Sequence, residues 1–287
     1  ANGRFLFETD WFSNLITDIG LQRFYSWNTF SSYFFIGDNN TPPAFTDTQL
    51  LGFLASTQTG APSSNVNGPA PVAPNYEWYS IKGRRFNAGN GTGTIRELGV
   101  GDAGSQNDND MVIRTLVEPE IPKSIDQVLD VYYRFYVYPD LTDKSGQVTI
   151  DGEVYDWVQR VGNIIDGASA FNNMRFRTGN STGLYDGTIG AVTGGPNGNY
   201  ENSQANPSNA NFGTYCDGSA TIGLDNGNVV GASGISAINV GTDWGGLSDN
   251  PKIQTSFNRV SDSAGIFKDN TQTLRFDWRL SWSRHTP

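Results

Sequence analysis

"VLDVYYRFYVYP", residues 128–139, decides the fold class. Successive side chains of a strand point to opposite faces. On that period Leu129, Val131, Tyr133, Phe135 and Val137 make an almost wholly apolar row, and Val128, Asp130, Tyr132, Arg134, Tyr136 and Tyr138 make an amphipathic one. The first row belongs in a core. The second suits a wet but adhesive surrounding, such as a neighbouring protein supplies. A strand covered on both sides within a larger sandwich is the plainer reading of the same residues, because long central strands are often buried twice.

The same alternation closes the chain. In "TLRFDWRLSWSR", residues 273–284, Leu274, Phe276, Trp278, Leu280 and Trp282 share one face, and Arg275, Asp277, Arg279, Ser281 and Ser283 share the other. "SSYFFIGD", "YEWYSIKGRRFN", "GTIRELGVG" and "MVIRTLVEP" read as further strands. One helix is expected, in "TDWFSNLITDIG": Asp10 caps it, Trp11, Phe12, Leu15, Ile16 and Ile19 recur at helical spacing, and Gly20 stops it. Many strands without βα alternation predict a mainly β protein. The expected fold is an antiparallel β-sandwich with one short N-terminal helix, the 128–139 strand and the last strand being inner members. Residues 1–287 are read as a single domain. Eighteen of the 34 glycines fall in 161–250, which predicts long Gly/Asn-rich loops and a loop-rich insertion at about 145–270. Together with the Pro/Gly/Ser/Asn stretch 58–75, these are the segments where binding function would sit.

Composition narrows the function. Charged residues are 17% of the chain against roughly 25% in ordinary domains, and aromatics are 13%. The net charge of −10 lacks the basic stripe of a general nucleic-acid binder. Cys216 is the only cysteine and His285 the only histidine, so an internal disulfide and Cys/His metal sets are excluded. No apolar run reaches spanning length, and the start lacks the charged and apolar regions of a signal peptide. Ala1 reads as following a removed initiator Met, although a mature chain left by signal removal would start the same way; the missing disulfides favour cytoplasmic synthesis.

None of the candidate sites selects a catalytic reading. "GVGDAG", Gly99–Gly104, matches a dinucleotide fingerprint, but "SQNDND" follows where a helix is required, so a hairpin loop is expected. Asp102, Asp108 and Asp110 offer oxygens to Ca²⁺ at a spacing that fits no EF-hand; solvated turn residues are the alternative. His285 lies in the tail, a poor place for a triad, and Cys216 has no neighbouring histidine to activate it. No pair among the 29 acidic residues is singled out for glycoside hydrolysis. Tyr185, Tyr200, Tyr215 and Trp244 lie among flexible polar residues, where an aromatic presents a flat face to a sugar or plugs a loop onto the core. The predicted ligand or partner contacts are Tyr132, Tyr136, Tyr138, Tyr200, Tyr215 and Trp244, with no catalytic, cofactor or metal residues.

Five phrases in order carry a resemblance: "NLITDIGLQRF", "IGDNNTPPAFTDTQLLG", "IRELGVG", "VIRTLVEPEIPKSIDQVLDVYYRFYVYP" and "FDWRLSWSR". The set resembles a group of tailed-bacteriophage virion proteins found among tail, tail-tip and fibre-associated genes. It covers about residues 10–140 and the last strand. Ile36-Gly37-Asp38 replaces a more glycine-rich loop, and 145–270 shows no match. The resemblance implies a non-enzymatic structural subunit of the particle at the tail tip, baseplate or fibre junction, acting by subunit packing. A carbohydrate- or host-receptor-binding module and a head-decoration protein are the alternatives. Implied partners are other virion subunits, copies of itself and a host-surface glycan, with no nucleic acid and no membrane insertion. The implied location is the virion, after synthesis in the bacterial cytoplasm. No catalytic residues or cofactors come with it.

Overall fold

The computed structural model describes residues 6–25, 33–63, 66–68, 72–101, 111–164, 176–202, 208–211, 213–228, 233–244 and 251–285. In chain order the elements are β1 (Leu15–Ile16), α1 (Asp18–Arg23), β2 (Tyr33–Gly37), β3 (Phe53–Thr57), β4 (Val66–Asn67), β5 (Trp78–Phe86), β6 (Gly93–Gly101), β7 (Met111–Lys123) and β8 (Leu129–Val137). There follow β9 (Lys144–Ile150), β10 (Glu153–Gly162), β11 (Phe176–Tyr185), β12 (Tyr200–Asn202), β13 (Ser208–Asn211), β14 (Tyr215–Ile222), β15 (Ala237–Trp244), β16 (Lys252–Arg259) and β17 (Leu274–Ser281). The protein is mainly β, with antiparallel sheets and, among the described residues, a single short helix. Among the described residues no helix is long and apolar enough to cross a membrane.

The chain divides into two compact units, one made of 1–20, 31–59 and 84–131, the other of 21–30, 60–83 and 132–287. The first holds the five-stranded sheet β1-β7-β6-β2-β3. β6 and β7 are consecutive antiparallel strands with Gly101 opposite Met111, as the hairpin reading of "GVGDAG" requires; residues 102–110, with Asp102, Asp108 and Asp110, lie outside the described residues. Gly99 is a packing glycine, since a Cβ there would lie 2.6 Å from Met111 Sδ, and Met111 forms a buried cluster with Phe35 and Leu50.

A buried polar network ties this unit together. Arg114 and Glu97 have fully buried side chains. Arg114 Nε donates to Glu97 Oε2 at 2.9 Å, Nη1 to Asp47 Oδ2 at 2.7 Å, and Nη2 to the Thr41 carbonyl at 2.9 Å. Glu97 Oε1 accepts the Gly52 N–H at 2.6 Å. A buried charge is tolerated only when paired and hydrogen-bonded, and this pair is. It joins "IRELGVG", "VIRTLVEP" and the 38–52 connection, three of the phrases that stand out in the sequence.

The helix needs correction. Residues 10–14 are irregular, Leu15–Ile16 pairs with Arg114 and Ile113 of β7, and α1 begins only at Asp18. The cap is Thr17, whose hydroxyl accepts the Gly20 N–H at 2.9 Å. Gly20 is therefore in the first turn, not at the stop. A Cβ there would sit 2.4 Å from the Val112 carbonyl oxygen, so glycine lets the helix touch β7. The apolar spacing of 11–19 is real, but strand pairing claims Leu15 and Ile16 first.

The second unit holds the six-stranded sheet β12-β11-β15-β16-β10-β9 and the three-stranded sheet β13-β14-β17. Tyr155, Leu184, Ile222, Ile235, Ile238, Val240, Phe257 and Ile266 form its buried core; Leu274, Phe276 and Trp278 of β17 pack against it. The inward face of β17 is thus the one its alternation names. Phe24 links Phe135 to Phe176 edge to face, at 6.4 and 5.7 Å, and Phe176 meets Trp282 at 5.7 Å. Residues 145–270 carry more strand than their glycine content suggests. Gly146, Gly162 and Gly183 are strand positions where another group comes close: a Cβ at Gly146 would meet Trp157 at 3.0 Å, at Gly162 would meet Gln254 at 2.7 Å, and at Gly183 would meet Tyr200 at 2.7 Å. β8 and β17 each end the order of a three-stranded sheet rather than sitting inside one. A strong one-face pattern reports one covered side, not a central place.

Candidate functional site

The site grows from β8 and from the part of β5 in the second unit. On β8, Val131, Tyr133, Phe135 and Val137 are buried, whereas Tyr132, Tyr136 and Tyr138 are 36%, 38% and 38% exposed. The plainer reading, a strand covered on both sides, is not what is seen. Burial pushes the Tyr133 phenol up, and that ring belongs to the interior.

On β5, Trp78, Ser80 and Lys82 are buried, so Tyr79 and Ile81 share the outer face with the exposed tyrosines. Glycines let the rings lie close to the backbone. A Cβ at Gly83 would be 2.6 Å from Tyr132 Cε1, and one at Gly68 would be 2.6 Å from Tyr79 Cε1. The Tyr132 hydroxyl donates to the Pro62 carbonyl at 2.7 Å, which fixes that ring. Arg134 stands between rings: its guanidinium carbon is 5.1 Å from the Tyr79 centroid, and Nη1 donates to the Tyr136 hydroxyl at 3.0 Å. The row then runs Tyr79–Tyr136 at 5.6 Å, Tyr136–Tyr138 at 6.0 Å, and Tyr138–His285 at 4.1 Å in a stacked geometry.

Burial first, and the nearby Glu77 carboxylate second, push the Tyr138 phenol up from 10.0. Its hydroxyl therefore stays protonated at neutral pH. The face offers tyrosine rings held by named contacts, their phenol hydroxyls, the Arg134 guanidinium and the Glu77 carboxylate. Such a surface can bind with little side-chain ordering cost, as rigid aromatic contact surfaces do.

Three of the six predicted contacts, Tyr132, Tyr136 and Tyr138, come together here. Tyr200 lies in β12, 59% exposed, 5.2 Å from Tyr185, whose hydroxyl accepts from Asn239 Nδ2 at 3.2 Å. Tyr215 lies in β14 beneath Arg279, whose guanidinium carbon is 3.8 Å from the ring centroid while its nitrogens grip Asp217 at 2.6 and 2.9 Å. Trp244 ends β15 opposite Phe176, and its side chain lies outside the described residues. Sequence reasoning missed Tyr79, Arg134 as a ring spacer, and His285. The alternation of "EWYSIKG" marks Tyr79; nothing in the tail marks His285. Cys216 is buried on β14 opposite Leu280. Among the described residues, no group of three or more His, Cys, Asp or Glu is placed to hold a metal ion. No protein-family model, curated protein or solved structure matches this chain.

Proposed function

We propose that this chain is a non-enzymatic structural subunit of a tailed-bacteriophage particle, placed at the tail tip, baseplate or fibre junction. The proposed mechanism is packing of the tyrosine face of β5 and β8 against a neighbouring virion subunit. The observation that carries this reading is the outward row of half-buried Tyr79 and exposed Tyr136, Tyr138 and His285, held in place by Arg134 and by mutual ring contact. Tyrosine and arginine are the residue types enriched at interface centres, and rings already fixed lose little freedom on docking. The particle itself is inferred from the five ordered phrases.

The test is incorporation. Chains carrying Tyr136→Ser and Tyr138→Ser together should fold, with unchanged circular dichroism, and fail to enter particles. Normal incorporation would defeat the reading. A second reading is a carbohydrate- or host-receptor-binding module using the same face, favoured by phenol hydroxyls and Glu77 lying beside partly exposed rings. Binding of the isolated chain to host-surface glycans, lost in the same variant while incorporation persists, would select it. A head-decoration role differs only in position within the particle.

A further inference from the structure

Lys268 is 5% exposed, two residues beyond Ile266, which belongs to the core of the second unit. Its Nζ donates to Asn228 Oδ1 at 2.8 Å and to the Asp269 carbonyl at 3.2 Å. Asn228 Nδ2 donates in turn to the Leu224 carbonyl, so the carboxamide keeps its oxygen toward the amine. Next to Asn228, the Gly227 N–H donates to Glu201 Oε1 at 2.6 Å. A Cβ at Gly227 would meet Leu184 at 3.0 Å and Ile222 at 3.3 Å, so this turn rests directly on the core. Burial pushes the Lys268 amine below its usual 10.5; Glu201, Asp269 and Asp225 pull the other way and are outweighed.

A buried amine hydrogen-bonded to a carboxamide oxygen, with a carboxylate bound to the backbone N–H next door and acting electrostatically on the amine, brings a nucleophile, an acceptor and a base into one turn. We propose that Lys268 and Asn228 join in an isopeptide bond, with Glu201 carrying the proton. The Lys268 ammonium gives a proton to Glu201. The neutral Nζ attacks Asn228 Cγ, forming the C–N bond while the carbonyl pair moves to Oδ1. That pair returns as the Cγ–Nδ2 bond breaks, and Nδ2 takes the proton from Glu201 and leaves as ammonia, the second amine proton returning to the carboxylate and then to solvent. Amine plus carboxamide gives a secondary amide plus ammonia, with no oxidant or co-reactant. The bond would tie the connection after β14 to the one before β17, two strands that pair along their whole length, and enclose β15 and β16 in a covalent loop.

Mass spectrometry of the intact full-length chain tests this. The expected mass is ~17 Da below that of the sequence, with a branched tryptic peptide joining the Asn228 and Lys268 segments. Lys268→Arg and Asn228→Ala should each restore the full mass while keeping the circular dichroism spectrum. Glu201→Gln should slow linkage by about 100-fold; full linkage in that variant would overturn the role given to Glu201. A succinimide at Asn226-Gly227 loses the same mass but stays linear and is cleaved by hydroxylamine. That result, or the full sequence mass in the unaltered protein, would overturn the cross-link.

Discussion

Replacing Arg114 with Met removes the centre of the buried network without changing side-chain volume greatly. The guanidinium takes with it two contacts to Glu97, one to Asp47 and one to the Thr41 carbonyl. Glu97, fully buried, keeps only the N–H of Gly52 at 2.6 Å and that of Leu51 at 3.4 Å. Breaking a buried pair by removing one partner costs about 3–5 kcal/mol. That is a large part of a typical total of about 5–15 kcal/mol. With a urea slope of about 2–3 kcal/mol per M, the midpoint should fall by roughly 1–2 M. Urea unfolding followed by far-ultraviolet circular dichroism reads this directly. Arg114→Met with Glu97→Gln keeps an acceptor for Gly52 and removes the stranded charge, so the double variant should recover at least half of the loss. The 38–52 connection should become cleavable by protease in the single variant. A loss below about 1 kcal/mol, or no coupling between the two positions, would refute the reasoning.

Three further outcomes follow from single contacts. Gly20→Ala should destabilise by about 1–3 kcal/mol: a Cβ 2.4 Å from a backbone oxygen forces α1 off β7, which outweighs the ~1 kcal/mol that alanine gains in a helix; increased stability would mean that the helix does not press on β7. Trp282→Ala removes the indole N–H bond to the Leu21 carbonyl, 2.7 Å, and the contact with Phe176, and should cost about 2–4 kcal/mol in the same urea assay. Hydrogen bonds from Arg160, Arg279 and Arg259 hold Asp143, Asp217 and Asp262 below the usual 3.8. Each contributes stability above 3.8 that is lost as pH falls through its lowered folded value, so the urea midpoint should be nearly flat from about pH 7 to 5 and drop below about pH 4. A midpoint that rises in acid would contradict this.

What was legible in the sequence is what alternation encodes. β8 buries the face its period-2 pattern names, β17 turns its named face inward with only Leu280 buried, and Tyr132, Tyr136 and Tyr138 emerge together because residues two apart on a strand share a side. What was not legible depends on partners distant in the chain. Arg114 and Glu97 each look like a polar position within an apolar strand until the fold brings Asp47 and the Thr41 carbonyl to them. Leu15 and Ile16 fit a helical period equally well, and only their pairing with Ile113 and Arg114 makes them strand. His285 has no local signal; its place comes from the chain continuing past β17 to Tyr138. Gly162 and Gly183 read as loop glycines, yet each sits in a strand because a neighbouring side chain needs the space.

The central claim is that the tyrosine face of β5 and β8 is a subunit interface. A cryo-electron microscopy map of intact particles containing this chain tests it most directly. Density from a neighbouring subunit in van der Waals contact with Tyr136, Tyr138 and His285 is expected. A map in which the chain is present and those three side chains face solvent would contradict it.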